Sequence, residues 1–232
     1  MEQDGAVAGP GRSRIGAGVE RTLAEGSAEV EIVLEYSFPG EHAEGSLPEA
    51  MSTHYRGVVD FRSDRASLAG GDTSLLLEGA ATYQRMPDGV WTYTHQVGRT
   101  GQWTCTHPRW ALEVLRQACR SAEPGSQTDV EVELDRDRAA EVTHPGLNPD
   151  WQLRASTAFD DAGRLRRIEI TMAGSASPDA WMRNTVEFTR FDQAATQIDL
   201  PDNSVHLAGY LRLDSPSQDD TAAADLGDQR RR

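Results

Sequence analysis

The stretch WTYTHQVGRTGQWTCTH, residues 91–107, spells one five-residue pattern twice, as Trp91-Thr92-Tyr93-Thr94-His95 and as Trp103-Thr104-Cys105-Thr106-His107. Two chemistries suit those residue types: imidazoles can hold a metal ion, and aromatic rings can grip an apolar ligand. If both copies are strands, Trp91, Tyr93 and His95 share a face, as do Trp103, Cys105 and His107, with Thr92, Thr94, Thr104 and Thr106 opposite. A hairpin through Gly98 and Gly101 that closes on Arg99 sets Tyr93 opposite Cys105. It also sends His95 and His107 to opposite ends, more than about 10 Å apart. A register slipped by two brings them only to a diagonal of about 7–8 Å, without a third ligand. We therefore expect no metal here. The aromatics Trp91, Tyr93 and Trp103 are expected on the dry, concave side of a sheet, and the four threonines toward water.

Other chemistry-bearing residues form no recognisable set. Asp135-Arg136-Asp137 and Asp160-Asp161 do not continue into a calcium-loop spacing and read as solvated turns. GPGRSRIGAG has Ser13 but no preceding strand and no Lys-Ser/Thr pair, so it is no phosphate loop. Neither G-x-S-x-G nor H-E-x-x-H occurs, and His42, His54, His95, His107, His144 and His206 are scattered without a visible triad partner. The chain reads as a non-enzyme without a cofactor.

The elements that position these residues are mostly strands. Val30, Ile32, Leu34 and Tyr36 alternate with Glu29, Glu31, Val33 and Glu35, and Val130, Val132 and Leu134 alternate with Asp129, Glu131 and Glu133. Trp151 to Phe159, the turn Asp160-Asp161-Ala162-Gly163 and Leu165 to Met172 read as a hairpin. Further strands are expected at 53–61, 65–69, 75–86, 90–95, 102–106, 185–191 and 196–200. Helical periodicity is confined to about 15–25 and 108–122, the second opening on Pro108 with Trp110, Ala111, Val114, Leu115, Ala118 and Cys119 on one side. Nine or ten one-sided strands imply an α+β domain, a large curved antiparallel sheet with a few helices over its concave face. It is expected over 15–207, between disordered segments at 1–14 and 208–232.

Composition narrows the partners. A formal charge of −14, with no lysine, argues against nucleic acid. No apolar run approaches the roughly 20 residues of a transmembrane segment, and the N-terminus lacks the pattern of an export signal, so the chain as written reads as cytoplasmic. The two cysteines, Cys105 and Cys119, lie on the inward sides of a strand and the helix after it; they are placed to bridge in an oxidising compartment and stay reduced in the cytosol.

The order of features resembles a known family. Val19-Glu20-Arg21-Thr22-Leu23 leads into the strand 28–36, followed by Gly57-Val58-Val59-Asp60-Phe61 and Gly79-Ala80-Ala81-Thr82-Tyr83-Gln84-Arg85-Met86. Then come Trp91 after a Pro-Asp-Gly turn, the Pro108-Arg109-Trp110-Ala111-Leu112 helix, the Phe159 to Leu165 hairpin, and Glu187-Phe188-Thr189-Arg190-Phe191-Asp192 running to Ile198-Asp199-Leu200-Pro201. This resembles the LolA-like superfamily, most closely actinobacterial lipid-carrier lipoproteins of the LppX and LprG type. The resemblance implies a half-barrel that carries a lipid or an acylated protein as a monomer, and a place in the cell envelope that the N-terminus as written does not support. The implied apolar cavity is lined from the strands by Val30, Ile32, Leu34, Tyr55, Val59, Phe61, Tyr83, Trp91, Tyr93, Trp103 and Val132, and from the helix by Trp110, Val114 and Leu115. Two other readings stay open: a sensory module of the same fold acting through protein contacts, and a structural domain whose own side chains fill the half-barrel.

Overall fold

The computed structural model describes residues 10–37, 50–95, 104–124, 129–142, 151–174, 180–191 and 197–207. In chain order the elements are helix α1 (Pro10–Ala24), strands β1 (Ser27–Ser37), β2 (Ala50–Asp60), β3 (Arg65–Gly70), β4 (Thr73–Glu78), β5 (Ala81–Arg85) and β6 (Trp91–His95), then helix α2 (Pro108–Ala118). Strands β7 (Cys119–Pro124) and β8 (Asp129–Leu134), helix α3 (Arg136–Val142), and strands β9 (Trp151–Phe159), β10 (Leu165–Gly174), β11 (Trp181–Thr189) and β12 (Ser204–His206) complete it. The strands form one open sheet in the order β12-β6-β5-β4-β3-β2-β1-β11-β10-β9-β8-β7. Every pairing is antiparallel except the edge pair β12·β6. This is the expected α+β half-barrel with its helices on one face.

Alternation in sequence becomes two-sidedness in space. Val30, Ile32 and Leu34 of β1, Val186 and Phe188 of β11, and Ile168, Ile170 and Met172 of β10 are buried on the inner face, in one cluster with Ile15 and Val19 of α1 and with Trp110, Leu112, Val114 and Leu115 of α2. The outer face carries cross-strand charges: Glu31 meets His54 at 2.7 Å and Arg56 at 3.2 Å, and Arg183 lies 3.5 Å from Glu35 and 3.6 Å from Glu169. Exposed pairs of this kind contribute about 0–1 kcal/mol each, so the inner face holds the fold together.

Helix α1 lies against β7 and β10, and α2 against α1, α3, β10 and β7. The Thr22 hydroxyl donates to Gly18 O at 2.9 Å and accepts from Leu165 N–H at 2.8 Å, which ties α1 to the start of β10. Gly18 lets α1 pack closely there, since a side chain would press on the Phe159 ring and force it to shift. At the β9–β10 turn Arg164 bonds Asp160 and Glu25 and lies over the Phe191 ring at 4.3 Å.

Several expected elements differ. The single strand 75–86 is two, because Gly79 takes a left-handed φ of 53° and turns the chain between β4 and β5. Residues 104–106, expected as a strand, form a turn into α2, and the rest of that strand lies outside the described residues. The helix from Pro108 stops at Ala118 and not Ala122: Cys119 turns extended (ψ 113°) and pairs with Leu134 as β7. Residues 197–200 are not a strand, and β12 follows them. Residues 10–14, expected disordered, are the first turn of α1, while 1–9 and 208–232 lie outside the described residues.

Candidate functional site

Register converts the inner face into rows running across the sheet. One row is Tyr55, Ile32, Val186, Ile168, Thr157 and Val130; the next is Thr53, Leu34, Asn184, Ile170, Ala155 and Val132. The third, at the end away from the β9–β10 turn, is Met51, Tyr36, Met182, Met172 and Leu153. Burial falls toward β2: Ile168, Ile170, Met172 and Leu153 on β10 and β9 are buried, while Tyr55 and Met51 on β2, Tyr36 on β1 and Met182 on β11 are only half-buried, as is Trp151 at the start of β9. None of the side chains in these rows is charged. The described inner face thus continues as an apolar rim past the part that the helices fill.

The turn before α2 reaches this rim. Asn184, fully buried on β11, donates from Nδ2 to Cys105 O at 2.6 Å. Its Oδ1 meets no donor, and an unpaired buried acceptor costs about 1–3 kcal/mol. Burial pushes the Cys105 thiol up from its ordinary pKa. Burial also raises Tyr55, with Cys105 and Tyr36 nearby adding to it. Both groups therefore stay neutral at ordinary pH, and a thiol raised by burial is a poor nucleophile.

A second cluster fixes α2 against the β2–β3 turn. His107, fully buried, caps the helix: its Nδ1 accepts from Arg109 N–H at 3.2 Å, and its Nε2 donates to Asp64 O at 3.3 Å. With one nitrogen accepting and the other donating, the ring is held neutral. Its pKa is lowered to about 4, chiefly by burial and against the pull of Asp64. Asp64 is left-handed at φ 57° and also meets Arg109 at 3.4 Å. Glu113, 1% exposed, is matched by Arg109, Arg116 and Gln117. These groups satisfy one another and stiffen the helix anchor.

Placement of the expected lining residues is mixed. Val30, Ile32, Leu34, Val59 and Val132 are buried on the inner face, with Phe61 just past β2 at 5.9 Å from the Phe188 ring. Trp110, Val114 and Leu115 are buried on α2 in the same packed cluster. Tyr55 stands at its border. Trp91, Tyr93 and Tyr83 are corrected: the buried Leu75 and Leu77 pair with Gln84 and Thr82, and these pair with Thr92 and Thr94, so the threonines take the inner face and Thr92 is 2% exposed. The rings stand on the outer face, where Tyr93 packs on Tyr83 at 6.0 Å and on His206 at 5.2 Å. Trp103 lies outside the described residues. Cys105 and Cys119 are free thiols: α2 runs between them, and 11 residues of helix span about 16 Å. Sequence reading missed Asn184, Met182, Met51 and Trp151 as lining, although the alternation in 181–189 and 151–159 would have placed Asn184, Met182 and Trp151 on a face.

Among the described residues no three His, Cys, Asp or Glu gather to hold a metal ion, and no helix is long and apolar enough to cross a membrane. An open depression of about 840 Å³ beside β7, β8 and β9 is lined by charged Arg120, Glu131, Glu133 and Arg154 together with Val132, Leu134, Trp151 and Leu153.

No family model matches the chain, and no curated protein matches it. Among solved structures it is similar to a LolA superfamily protein from Nitrosomonas europaea, at 12% identity and a TM-score of 0.37, over 84% of this chain and 96% of that one.

Proposed function

We propose that this protein is a non-enzymatic carrier that holds the acyl chain of a lipid, or of an acylated protein, against the inner face of its sheet. The supporting observation is the rim: the apolar rows continue past the filled core into half-buried Met51, Tyr36, Tyr55 and Met182, without a charged side chain in the rows. Burying a methylene contributes about 0.8 kcal/mol, so a chain of about sixteen carbons gains roughly 12 kcal/mol gross before ordering costs. Apolar wall is then sufficient for retention. The core beneath α2 is part of the scaffold, and the chain lies beside it.

The test is titration with a fluorescent fatty acid, wild type against Met182→Asp. A charge on the rim should weaken binding tenfold or more while the thermal midpoint moves little, because Met182 is half-buried. Equal binding by both proteins, or none by wild type, would remove the reading.

A further inference from the structure

Asn184 sits between Leu34 and Ile170 on the inner face with its hydrogen bonding half complete. The neighbour settles which way the amide faces: Cys105 O only accepts, so the atom 2.6 Å from it is Nδ2 and the oxygen points elsewhere. An apolar residue of the same size would fill this place without leaving an acceptor unpaired. Building on the carrier reading, we propose that Asn184 Oδ1 is the polar anchor for the bound chain, and that the site selects acyl chains bearing their own hydrogen-bond donor, a hydroxyl or a secondary amide N–H.

Position sets where on the ligand that donor belongs. Asn184 lies one row, or two residues along β11, in from Met182 at the rim, about 7 Å. The donor therefore sits part-way along the chain and not at its head. The oxygen is buried, and the Nδ2 bond to Cys105 O fixes the amide while the ligand's donor pairs with Oδ1. A site with a buried polar group discriminates well against an analogue that leaves it unpaired, so one donor at the right depth changes selection more than one extra methylene does.

The experiment displaces a fluorescent fatty acid with hexadecanoic acid, with hydroxyhexadecanoic acids differing in hydroxyl position, and with a chain of equal length carrying an internal secondary amide. Wild type should bind at least one mid-chain hydroxyl isomer or the amide about tenfold tighter than hexadecanoic acid, a difference of about 1.4 kcal/mol. Preference for the hydroxyl or for the amide tells which donor the site takes. Asn184→Leu should lose the preference, binding the donor-bearing chain no tighter than hexadecanoic acid; if that variant does not fold, the isomer series on wild type decides. Binding of all chains by wild type without positional preference would overturn the anchor and leave the carrier reading intact. Binding of none would overturn both.

Discussion

Replacing His107 with asparagine separates the acid sensitivity of one buried ring from that of the rest of the protein. Asparagine is a good N-cap whose side-chain oxygen can still accept from Arg109 N–H, so α2 keeps its start. What disappears is a group whose folded pKa of about 4 lies below its ordinary 6.5. Lowering the folded pKa of a base means that the unfolded chain binds the proton first. Stability from neutral His107 is then fully present above about pH 6.5, declines as pH falls toward 4, and changes no further below that. The 2.5-unit gap corresponds to about 3 kcal/mol. Glu31, Asp60 and Asp160, whose pKa values are lowered by hydrogen bonds and arginine or serine neighbours against their burial, lose their contributions at lower pH, equally in both proteins. Urea denaturation followed by circular dichroism at pH 7.5, 6.5, 5.5, 4.5 and about 4 reads the difference directly. At pH 7.5 wild type should be the more stable by about 1–2 kcal/mol, having kept the bond to Asp64. By pH 4 the difference should have moved by about 3 kcal/mol in favour of the variant. Parallel curves across this window, or an NMR titration of His107 near 6.5, would refute the account of a ring held neutral by its two bonds.

Other outcomes follow from burial and face. Leu115→Ala, at a fully buried position in the packed cluster, should cost about 2–5 kcal/mol in urea denaturation. Trp110→Ala should cost about 3–5 kcal/mol and Trp91→Ala clearly less, since Trp110 is 2% exposed in the core and Trp91 is half-buried on the outer face; equal costs would contradict the inverted face of β6. Gly16→Ala should stabilise by about 0.5–1 kcal/mol, because nothing lies within 4 Å of the added methyl on α1, whereas Gly57→Ala should destabilise by about 1–3 kcal/mol or more, because that methyl would run into the Ser67 carbonyl oxygen of the neighbouring strand. Thiol titration should count two free cysteines in the unfolded chain, both reacting slowly in the native protein at pH 7, since burial raises each pKa.

Where the sequence alternates on its own, it showed the structure. β1, β8 and the β9–β10 hairpin are legible because their polar residues fall on one parity and their apolar residues on the other. Parity says which residues share a face and not which face is inside. In β5 and β6 both faces carry candidates, rings on one and threonines on the other, and the decision is made two strands away by Leu75 and Leu77 through the Gly79 turn. The second copy of the repeated pattern could not continue as strand past Thr104, because His107 and Pro108 start a helix there. β7 carries no alternation in CRSAEP, and the three-residue β12 exists only because the chain returns beside β6. The rim was half legible for the same reason. Tyr55 was visible as an aromatic on a strand, but Asn184 becomes informative only when β1 and β10 close around it and Cys105, 79 residues away, comes to lie on its amide. The His107–Asp64 contact spans 43 residues and has no signal in either neighbourhood.

Native mass spectrometry of the protein mixed with a donor-bearing sixteen-carbon fatty acid, with Met182→Asp beside it, tests the carrier directly. The account predicts a one-to-one adduct on wild type, retained at mild activation, that is largely lost from a folded Met182→Asp variant. A wild-type spectrum without adduct, or the same adduct on both proteins, would contradict it.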